Sequence, residues 1–291
     1  MEKSKVGLSL VSPMIIGLIV FVLFPIVFSF GLSFLKWDGL SEARFVGLDN
    51  YSQLISDPLF WKSLKVTMLY AVITLPINII IGFFLALFLN KDNWINQTLR
   101  LGFYIPQLIS GVPLLLLWLW MFNTKYGLIN RFLNTIGIGG PSWFENEVYA
   151  LIAIITINIW GVGNYMLIFL ATFQRIPTQL IEVIKLEGGT FKQVFKYAIF
   201  PYISPIVFFL VVVGFIGSTQ VFSEAYVITQ GGPNNATLFY VFYVYQNAFS
   251  FFKMGYASAL AWVFFLILMV FTGIQFFISK FWVNYDEVKI M

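Results

Sequence analysis

Long, uninterrupted apolar stretches are the feature that most constrains how this chain folds. Of its 291 residues, 59% are hydrophobic and 10% are charged, and the mean hydropathy is +0.86, which is too apolar for a water-soluble domain. A membrane-spanning helix needs about 20 predominantly apolar residues. Candidate spans of that length occupy residues 11–34, 66–89, 101–122, 149–173, 204–228 and 257–279.

The form of these spans follows from their pattern. Each stretch is continuously apolar and does not alternate between apolar and polar residues, which favours helices over membrane β-strands. A helix also satisfies the hydrogen bonds of its own backbone groups, for which lipid offers no partners. We therefore predict an all-α integral membrane protein with about six transmembrane helices.

The distribution of lysine and arginine predicts the orientation of the spans, because these residues are more frequent in cytoplasmic loops. If six spans alternate, one side of the membrane carries Lys3, Lys5, Lys91, Arg100, Arg175, Lys185, Lys192, Lys196, Lys280 and Lys289. The other side carries, over longer loops, Lys36, Arg44, Lys62, Lys65, Lys125, Arg131 and Lys253. This modest bias predicts that both termini and the loop of residues 174–204 are cytoplasmic.

Residues 174–204 interrupt the apolar pattern with a segment too charged to lie in hydrocarbon. Its charged residues include Glu182, Lys185, Glu187, Lys192 and Lys196. Pro177 favours a first helical turn, and Gly188-Gly189 favours the end of that helix. Thr190 and Gln193 have the spacing of a capping box for a second helix, after which the chain meets Pro201 and re-enters the membrane. We predict two short helices joined by a corner.

This segment resembles the EAA loop of ABC importer permeases, whose pattern is Glu-Ala-Ala, three residues, Gly, nine residues, and Ile-x-Leu-Pro. Glu182, Gly188 and Pro201 match that pattern, whereas the departures from it are Val183, Ile184, Ala198 and Phe200. In that family the loop is the coupling helix, which docks into a cleft on a cytoplasmic ATPase subunit. The resemblance implies this role for Glu182, Val183, Ile184, Leu186, Glu187, Gly188, Gly189 and Pro201. An ordinary amphipathic loop is the alternative on these residues alone.

Two further segments resemble the carbohydrate-uptake permeases of the same family. Residues 222–249 contain the order Thr-x-Gly-Gly-Pro, Thr and Tyr-x-x-Ala-Phe that is found there. Residues 45–61 resemble the extracytoplasmic segment after the first span in that group. With the EAA-like loop, these blocks cover most of the chain in the expected order. The chain therefore resembles the first of the two permease subunits in a sugar importer of the maltose-transporter type.

The resemblance implies a protein of the prokaryotic cytoplasmic (inner) membrane that translocates a di- or oligosaccharide. The implied partners are a homologous second permease subunit, two copies of a cytoplasmic ATPase subunit, an extracytoplasmic solute-binding protein and membrane lipid. The implied division has a first transmembrane helix with an extracytoplasmic segment (1–65), a core of five transmembrane helices with the coupling loop (66–281) and a cytoplasmic tail (282–291).

Missing residue types and motifs argue against catalysis by this chain. It contains no cysteine and no histidine, which removes thiolate ligands, disulfides and the commonest metal ligand. It also lacks the sequence Gly-x-x-x-x-Gly-Lys-Ser/Thr that cradles nucleotide phosphates. We expect ATP and Mg²⁺ to bind the partner ATPase subunits, and no cofactor or metal to bind this chain. The formal net charge of +4 needs no nucleic-acid partner, because basic cytoplasmic loops account for it.

Small and polar residues within two spans indicate a cargo path. In the fourth span, residues at i, i+3, i+4 and i+7 form one stripe, which comprises Asn158, Gly161, Val162 and Tyr165. A second stripe in the fifth span comprises Gly214, Ser218 and Val221, with Gln220 and Glu224 nearby. The resemblance places sugar-contacting sites at matching positions. Helix packing by small and polar residues is the alternative role.

Residues 229–256 form the third predicted outer segment. In the family this part approaches the solute-binding protein, which implies contacts at Gly231, Gly232, Pro233, Gln246 and Asn247. Packing of aromatic side chains at the membrane interface is the alternative.

Two alternative functions remain at this point. One keeps the architecture but imports glycerol phosphate or a short peptide. The other is an ATP-independent secondary carrier, which has less support because the spans show no chain of Asp, Glu or His for ion coupling.

Overall fold

A computed structural model describes residues 2–109 and 111–284 of the chain, with side-chain positions from residue 10 onward. The elements, in chain order, are α1 (Glu2–Leu18), α2 (Phe24–Leu32), β1 (Leu35–Lys36), β2 (Arg44–Phe45), α3 (Asp49–Ser56), α4 (Pro58–Phe88), α5 (Trp94–Leu108), α6 (Val112–Met121), α7 (Leu128–Thr135), α8 (Glu147–Ile159), α9 (Gly163–Phe173), α10 (Thr178–Leu186), α11 (Phe191–Val194), α12 (Phe200–Thr219), α13 (Tyr240–Tyr245) and α14 (Met254–Ser279). Turns of π-helix lie at Ile19–Leu23, Phe195–Ile199, Ala225–Thr229 and Gln246–Ser250.

Within the described residues, four helices are long and apolar enough to cross a membrane. They are Leu10–Leu32, Pro58–Phe88, Phe191–Thr219 and Met254–Ser279. Two bent helix pairs, α5 with α6 and α8 with α9, raise this number to six if each pair is one span. The predicted all-α membrane protein with about six transmembrane helices is therefore confirmed.

The fifth span differs from its prediction at both ends. One continuous helix runs from Phe191 to Thr219, so Pro201 does not end a separate short helix. The π-helical turn at Phe195–Ile199 ends two residues before Pro201, and this wider turn accommodates a residue that lacks an N–H and crowds the preceding turn. The helix then ends at Thr219, well before residue 228. The Thr219 hydroxyl donates to the carbonyl of Ile216 at 2.8 Å, a local bond that competes with helix continuation.

Two other predicted spans are divided. The fourth bends by 42° between α8 and α9. At the bend, the N–H groups of Gly161 and Val162 donate to carbonyls three residues back, at 3.0 Å each, so the backbone is wound more tightly than in an α-helix. The predicted third span, residues 101–122, is divided between α5 and α6 on either side of Ser110, which lies outside the described residues.

Contacts divide the described residues into two compact units, one within residues 2–61 and 243–268 and the other within residues 62–242 and 269–284. In the second unit, the core surrounds Met166 and Phe169 of α9, which are fully buried and pack near Ala86 of α4. Close helix approach is possible there because Gly82 lacks a side chain. A Cβ atom at Gly82 would lie 2.5 Å from the Cβ of Tyr165.

The first unit contains the antiparallel pair β1 and β2, in which Leu35 pairs with Phe45. Asn50 of α3 is 7% exposed and ties this pair to the end of α2. Its Nδ2 donates to the carbonyl of Ser33 at 2.8 Å and to that of Leu35 at 2.9 Å. Buried backbone acceptors are thereby satisfied at a point where the chain leaves regular structure.

A buried hydrogen-bonded cluster completes the first unit. The hydroxyls of Tyr243 and Tyr256 both donate to Oδ2 of Asp57, the latter at 2.6 Å. Partial burial disfavours the charged carboxylate, but these bonds and backbone N–H groups outweigh that effect and hold the pKa of Asp57 below 3.8. Burial and the bond to Asp57 raise the pKa of Tyr243 to about 12. Asp57 therefore accepts both bonds as an anion at neutral pH.

We expect Asp57→Ala to destabilise the protein by about 1–3 kcal/mol at neutral pH, because two buried tyrosine hydroxyls lose their acceptor. A carboxyl with a lowered folded pKa stabilises the fold above its unfolded pKa. This contribution disappears as the pH falls through the lowered value, so the difference from the wild type shrinks below pH 3.8. Thermal unfolding in detergent, followed by tryptophan fluorescence, measures the effect. Asp49→Ala, at an exposed carboxylate of α3, is the control, and equal midpoints for the two variants at neutral pH would contradict the prediction.

Candidate functional site

The main candidate site is a cavity of about 430 Å³ in the second unit, among α4, α5, α8, α9 and α12. We call it the amide cavity, because its lining includes Asn78, Gln107, Asn158 and Asn164. Tyr165 and Ser218 add two hydroxyl groups, and the remaining lining is glycine and apolar side chains. The described lining residues carry no charge, so the cavity offers neutral hydrogen-bonding groups beside apolar surface.

A hydrogen bond between helices α4 and α8 sets the geometry of one wall. Asn78 Nδ2 donates to Asn158 Oδ1 at 2.7 Å. Asn78 is 3% exposed, and its own Oδ1 accepts no hydrogen bond. A buried acceptor without a partner is costly, and a hydroxyl or a water molecule in the cavity would satisfy it.

Glycines create the space that the cavity needs. A Cβ atom at Gly214 would lie 2.8 Å from the hydroxyl oxygen of Tyr165, and one at Gly161 would lie 3.0 Å from Oε1 of Gln107. Because Gly214 has no side chain, the phenol of Tyr165 can lie against the backbone of α12. Gly161 likewise leaves room for the amide of Gln107 against the backbone that follows α8. Gly217 differs, since no atom lies within 4 Å of a Cβ placed there. A side chain at Gly217 would project into open space.

The structure brings five of the seven predicted path residues to the amide cavity: Asn158, Gly161, Tyr165, Gly214 and Ser218. Val162 and Val221 are buried and do not line it. Val162 turns away because the bend at 160–162 breaks the straight helical stripe on which the prediction rested. Asn78, Gln107 and Asn164 are cavity residues that the stripes did not include. Their polarity within apolar stretches was the available signal.

A second cavity, of about 360 Å³, adjoins the first and shares Gln107, Asn158, Gly161 and Gly217 with it. We call it the Glu224 cavity, after the acid in its lining. Burial raises the pKa of Glu224, which follows the end of α12. Over residues 2–109 and 111–284, no group of three or more His, Cys, Asp or Glu side chains is placed to hold a metal ion.

Helix α10, in the EAA-like segment, has two different faces. Ile181 and Ile184 pack against the buried core of the second unit. On the opposite face, Val183 is 52% exposed and Leu186 is 87% exposed, and both flanking acids, Glu182 and Glu187, are exposed. The exposed face thus combines apolar side chains with charged neighbours, as the surface of a docking helix does.

The corner after α10 has the predicted construction. Gly188 adopts φ +77°, a left-handed conformation that ends the helix, and no atom lies within 4 Å of a Cβ there. Gly189 is packed against Ile184, whose carbonyl oxygen would lie 2.5 Å from an added Cβ. Thr190 N–H then donates to Oε1 of Gln193 at 2.7 Å, which forms the predicted capping box. Pro201 is half-buried in the continuous helix beyond the corner.

The residues predicted to contact a binding protein are buried or half-buried in the structure. Asn247 is 2% exposed, and its Nδ2 donates to the carbonyl of Tyr243 at 2.9 Å, so this side chain holds the local backbone. Gly231 is also buried, in a left-handed conformation with φ +85°. Gly232, Pro233 and Gln246 are half-buried. Asn247 and Gly231 are therefore buried in this subunit, and the contact of all five residues with a binding protein stays a prediction.

Comparison with known proteins gives consistent results. Residues 78–283 match the family described as binding-protein-dependent transport system inner membrane component. The chain is 36% identical over 291 residues to the probable ABC transporter permease protein YesP of Bacillus subtilis, covering 98% of this chain and 94% of the relative. It is 32% identical over 281 residues to the lactose transport system permease protein LacF of Rhizobium radiobacter, covering 94% of each.

The fold has a close counterpart among solved structures. A chain of a bacterial ABC transporter involved in the import of the acidic polysaccharide alginate superposes with a TM-score of 0.80, at 18% sequence identity, and 96% of each chain is covered. The family match covers more than half of the sequence, and the relatives align over nearly all of it. This chain belongs to the family of inner membrane components of binding-protein-dependent transport systems, the non-catalytic permease subunits of ABC transporters.

Proposed function

We propose that this permease subunit forms one half of the path by which an ATP-driven importer moves a di- or oligosaccharide into the cell. The observation that carries the proposal is the amide cavity, where neutral amides and a phenol face open space next to glycines. Sugars present hydroxyl groups and apolar ring faces, so fixed neutral hydrogen-bonding groups beside apolar surface suit them. Similarity to lactose and trehalose/maltose permeases supports this cargo class.

The proposed assembly follows from the membership of the family. A homologous second permease subunit would complete the path, and a solute-binding protein would deliver the sugar on the outer side. Two copies of a cytoplasmic ATPase subunit would bind ATP and Mg²⁺, since this sequence has no phosphate-binding loop. An ATP-independent carrier is no longer a competing function, because the family is that of the permease subunits of ABC transporters, which are driven by ATP.

Helix α10 is the proposed contact with the ATPase subunit. Its exposed apolar side chains, Val183 and Leu186, would enter the ATPase cleft, flanked by Glu182 and Glu187. The opposite face is anchored in the core by Ile181 and Ile184, so a displacement of α10 would carry that core with it. Closure of the ATPase subunits on ATP would thereby bias the permease between inward-open and outward-open states.

We expect Gly188→Val to reduce uptake strongly, because a β-branched residue is strained at φ +77° and would redirect α10. Gly188→Asn is the matched control, since Asn tolerates the left-handed conformation and the site is open to solvent. Sugar uptake, recovery of the complex and stimulated ATP hydrolysis are measured together. The coupling role predicts intact assembly with lost uptake for Val and near-normal uptake for Asn. Normal uptake by the Val variant at equal expression would rule out that role.

The orientation of the chain is a separate proposal, based on the Lys and Arg distribution and on an even number of spans. Because the sequence contains no cysteine, each introduced cysteine is the chain's single thiol. In intact cells, an impermeant thiol reagent should label Gln53→Cys and Gly139→Cys but spare Lys185→Cys, all at exposed positions. Lys185→Cys should label after the cells are opened, which serves as its control. Labelling of position 185 from outside would reverse the orientation and remove the proposed ATPase contact.

We expect Gly217→Leu to block the path, since the new side chain meets no atom near its Cβ and extends into the amide cavity. Gly102→Leu is the control, because that Cβ also meets nothing within 4 Å but lies outside this cavity. Uptake should fall at least about tenfold for Gly217→Leu alone, while recovery of the complex stays equal for both. Tyr165→Phe, which removes one hydroxyl, should lower uptake by an amount equivalent to about 1–3 kcal/mol. Unchanged uptake by Gly217→Leu would place the path elsewhere.

A further inference from the structure

The two adjoining cavities of the second unit differ in charge. They share Gln107, Asn158, Gly161 and Gly217, so a solute in one chamber lies beside the other. Among the described residues that line either chamber, Glu224 is the one charged side chain. All other polar groups in the two linings are amides, hydroxyls or an indole.

The charge of Glu224 is not compensated nearby. No lysine or arginine contributes to the described lining of its cavity. The other polar side chains there are neutral: Gln107, Asn158, Trp160, Gln220 and Ser223. Within the described part of the chain, Glu224 also forms no ion pair. Burial raises the pKa of Glu224, so the carboxylate is the form present above that raised value. In that form, a partly buried acid without a counter-ion projects its negative potential into the adjoining space, where screening by water is weaker than at a surface.

We propose that Glu224 selects cargo by charge, so that the path admits uncharged sugars and disfavours anionic ones such as uronates and sugar phosphates. For its biological meaning this inference rests on the proposed sugar-import function, whereas the electrostatic effect applies to any solute in the two cavities. It also decides between the cargo classes that the sequence left open. Glycerol phosphate, as an anion, would meet a like charge and no basic side chain from this subunit.

Coulomb's law gives the expected size of the effect of the Glu224 charge on ions in the cavities. A unit charge about 10 Å from a second one, at the effective dielectric constant of a partly buried site, changes the local concentration of an ion by about tenfold. An anion should therefore be depleted in the amide cavity, and a cation enriched, by a factor of that order. Replacing Glu224 with glutamine removes the charge but keeps the shape and the hydrogen-bonding capacity of the side chain.

The cysteine-free sequence allows a test that needs no cargo. Gly217→Cys places one thiol in the lining shared by both cavities, at a position with open space. In the purified complete transporter, this thiol is allowed to react with an anionic reagent, sulfonatoethyl methanethiosulfonate, or a cationic one, trimethylammonioethyl methanethiosulfonate. In both reactions the thiolate forms a mixed disulfide and releases methanesulfinate. The mass of this subunit reports the rates, and the exposed Gly139→Cys corrects for intrinsic reactivity.

The corrected ratio of cationic to anionic rates at position 217 should be about 100-fold with Glu224 present, because the two tenfold effects multiply, and close to one in Glu224→Gln. Glu145→Gln, at an exposed acid outside both cavities, should leave the ratio unchanged. A ratio near one with Glu224 present, or a high ratio that persists in Glu224→Gln, would overturn the proposal. These thiol reaction rates do not depend on sugar uptake, so they test the charge effect of Glu224 separately from the proposed function.

Transport supplies the second measurement. In proteoliposomes with the cognate binding protein, neutral oligosaccharides are compared with uronate oligosaccharides of equal length. Uptake restricted to the neutral series is the expected result, and uptake of the uronate series at a comparable rate would overturn the charge selection. Failure to import any sugar, together with an intact charge effect at position 217, would refute the proposed cargo and leave the electrostatic role of Glu224 standing.

Discussion

The apolar interior of the second unit is the constraint on which the site depends. A polar side chain inside an apolar bundle must find a protein partner or line a space that water or cargo enters. Asn78 does both, because its Nδ2 bonds to Asn158 across two helices while its Oδ1 stays unpaired beside the cavity. Gly161 and Gly214 give the neighbouring polar side chains room to face the same space. Helix packing and the site are thus parts of one arrangement.

The same physics explains how much the sequence could predict. Continuous apolar stretches predicted the spans, and local signals predicted the helix end at Gly188 and the capping box at Thr190, because each depends on residues within a few positions. The pairing of Asn78 with Asn158 joins residues 80 positions apart, which no local pattern encodes. The bend at 160–162 also escaped prediction. It consists of a shift from four-residue to three-residue hydrogen bonds within an apolar run, and hydropathy does not register that shift.

Pro201 shows how local rules are overruled. Proline in a helix removes one hydrogen bond and crowds the preceding turn, so a helix end was the reasonable expectation. The wider π-helical turn before Pro201 accommodates the missing hydrogen bond and the crowding, so the helix is continuous from Phe191 to Thr219. At 1.5 Å per residue, this helix is about 43 Å long. It therefore joins the corner beside α10 directly to Gly214 and Ser218 in the wall of the amide cavity.

This continuity has a mechanical consequence for a transporter whose energy source lies on other subunits. A continuous helix that has the proposed coupling corner at one end and cavity-lining residues toward the other would carry a displacement between them, and its π-helical turn and Pro201 are the points where it could bend. The cavity offers neutral hydrogen-bonding groups, and one of them, Asn78 Oδ1, has no partner within the protein. If this cavity is the proposed cargo path, the direction of transport would come from which side of the membrane the cavity faces, and motion of the helix Phe191–Thr219 would change that side.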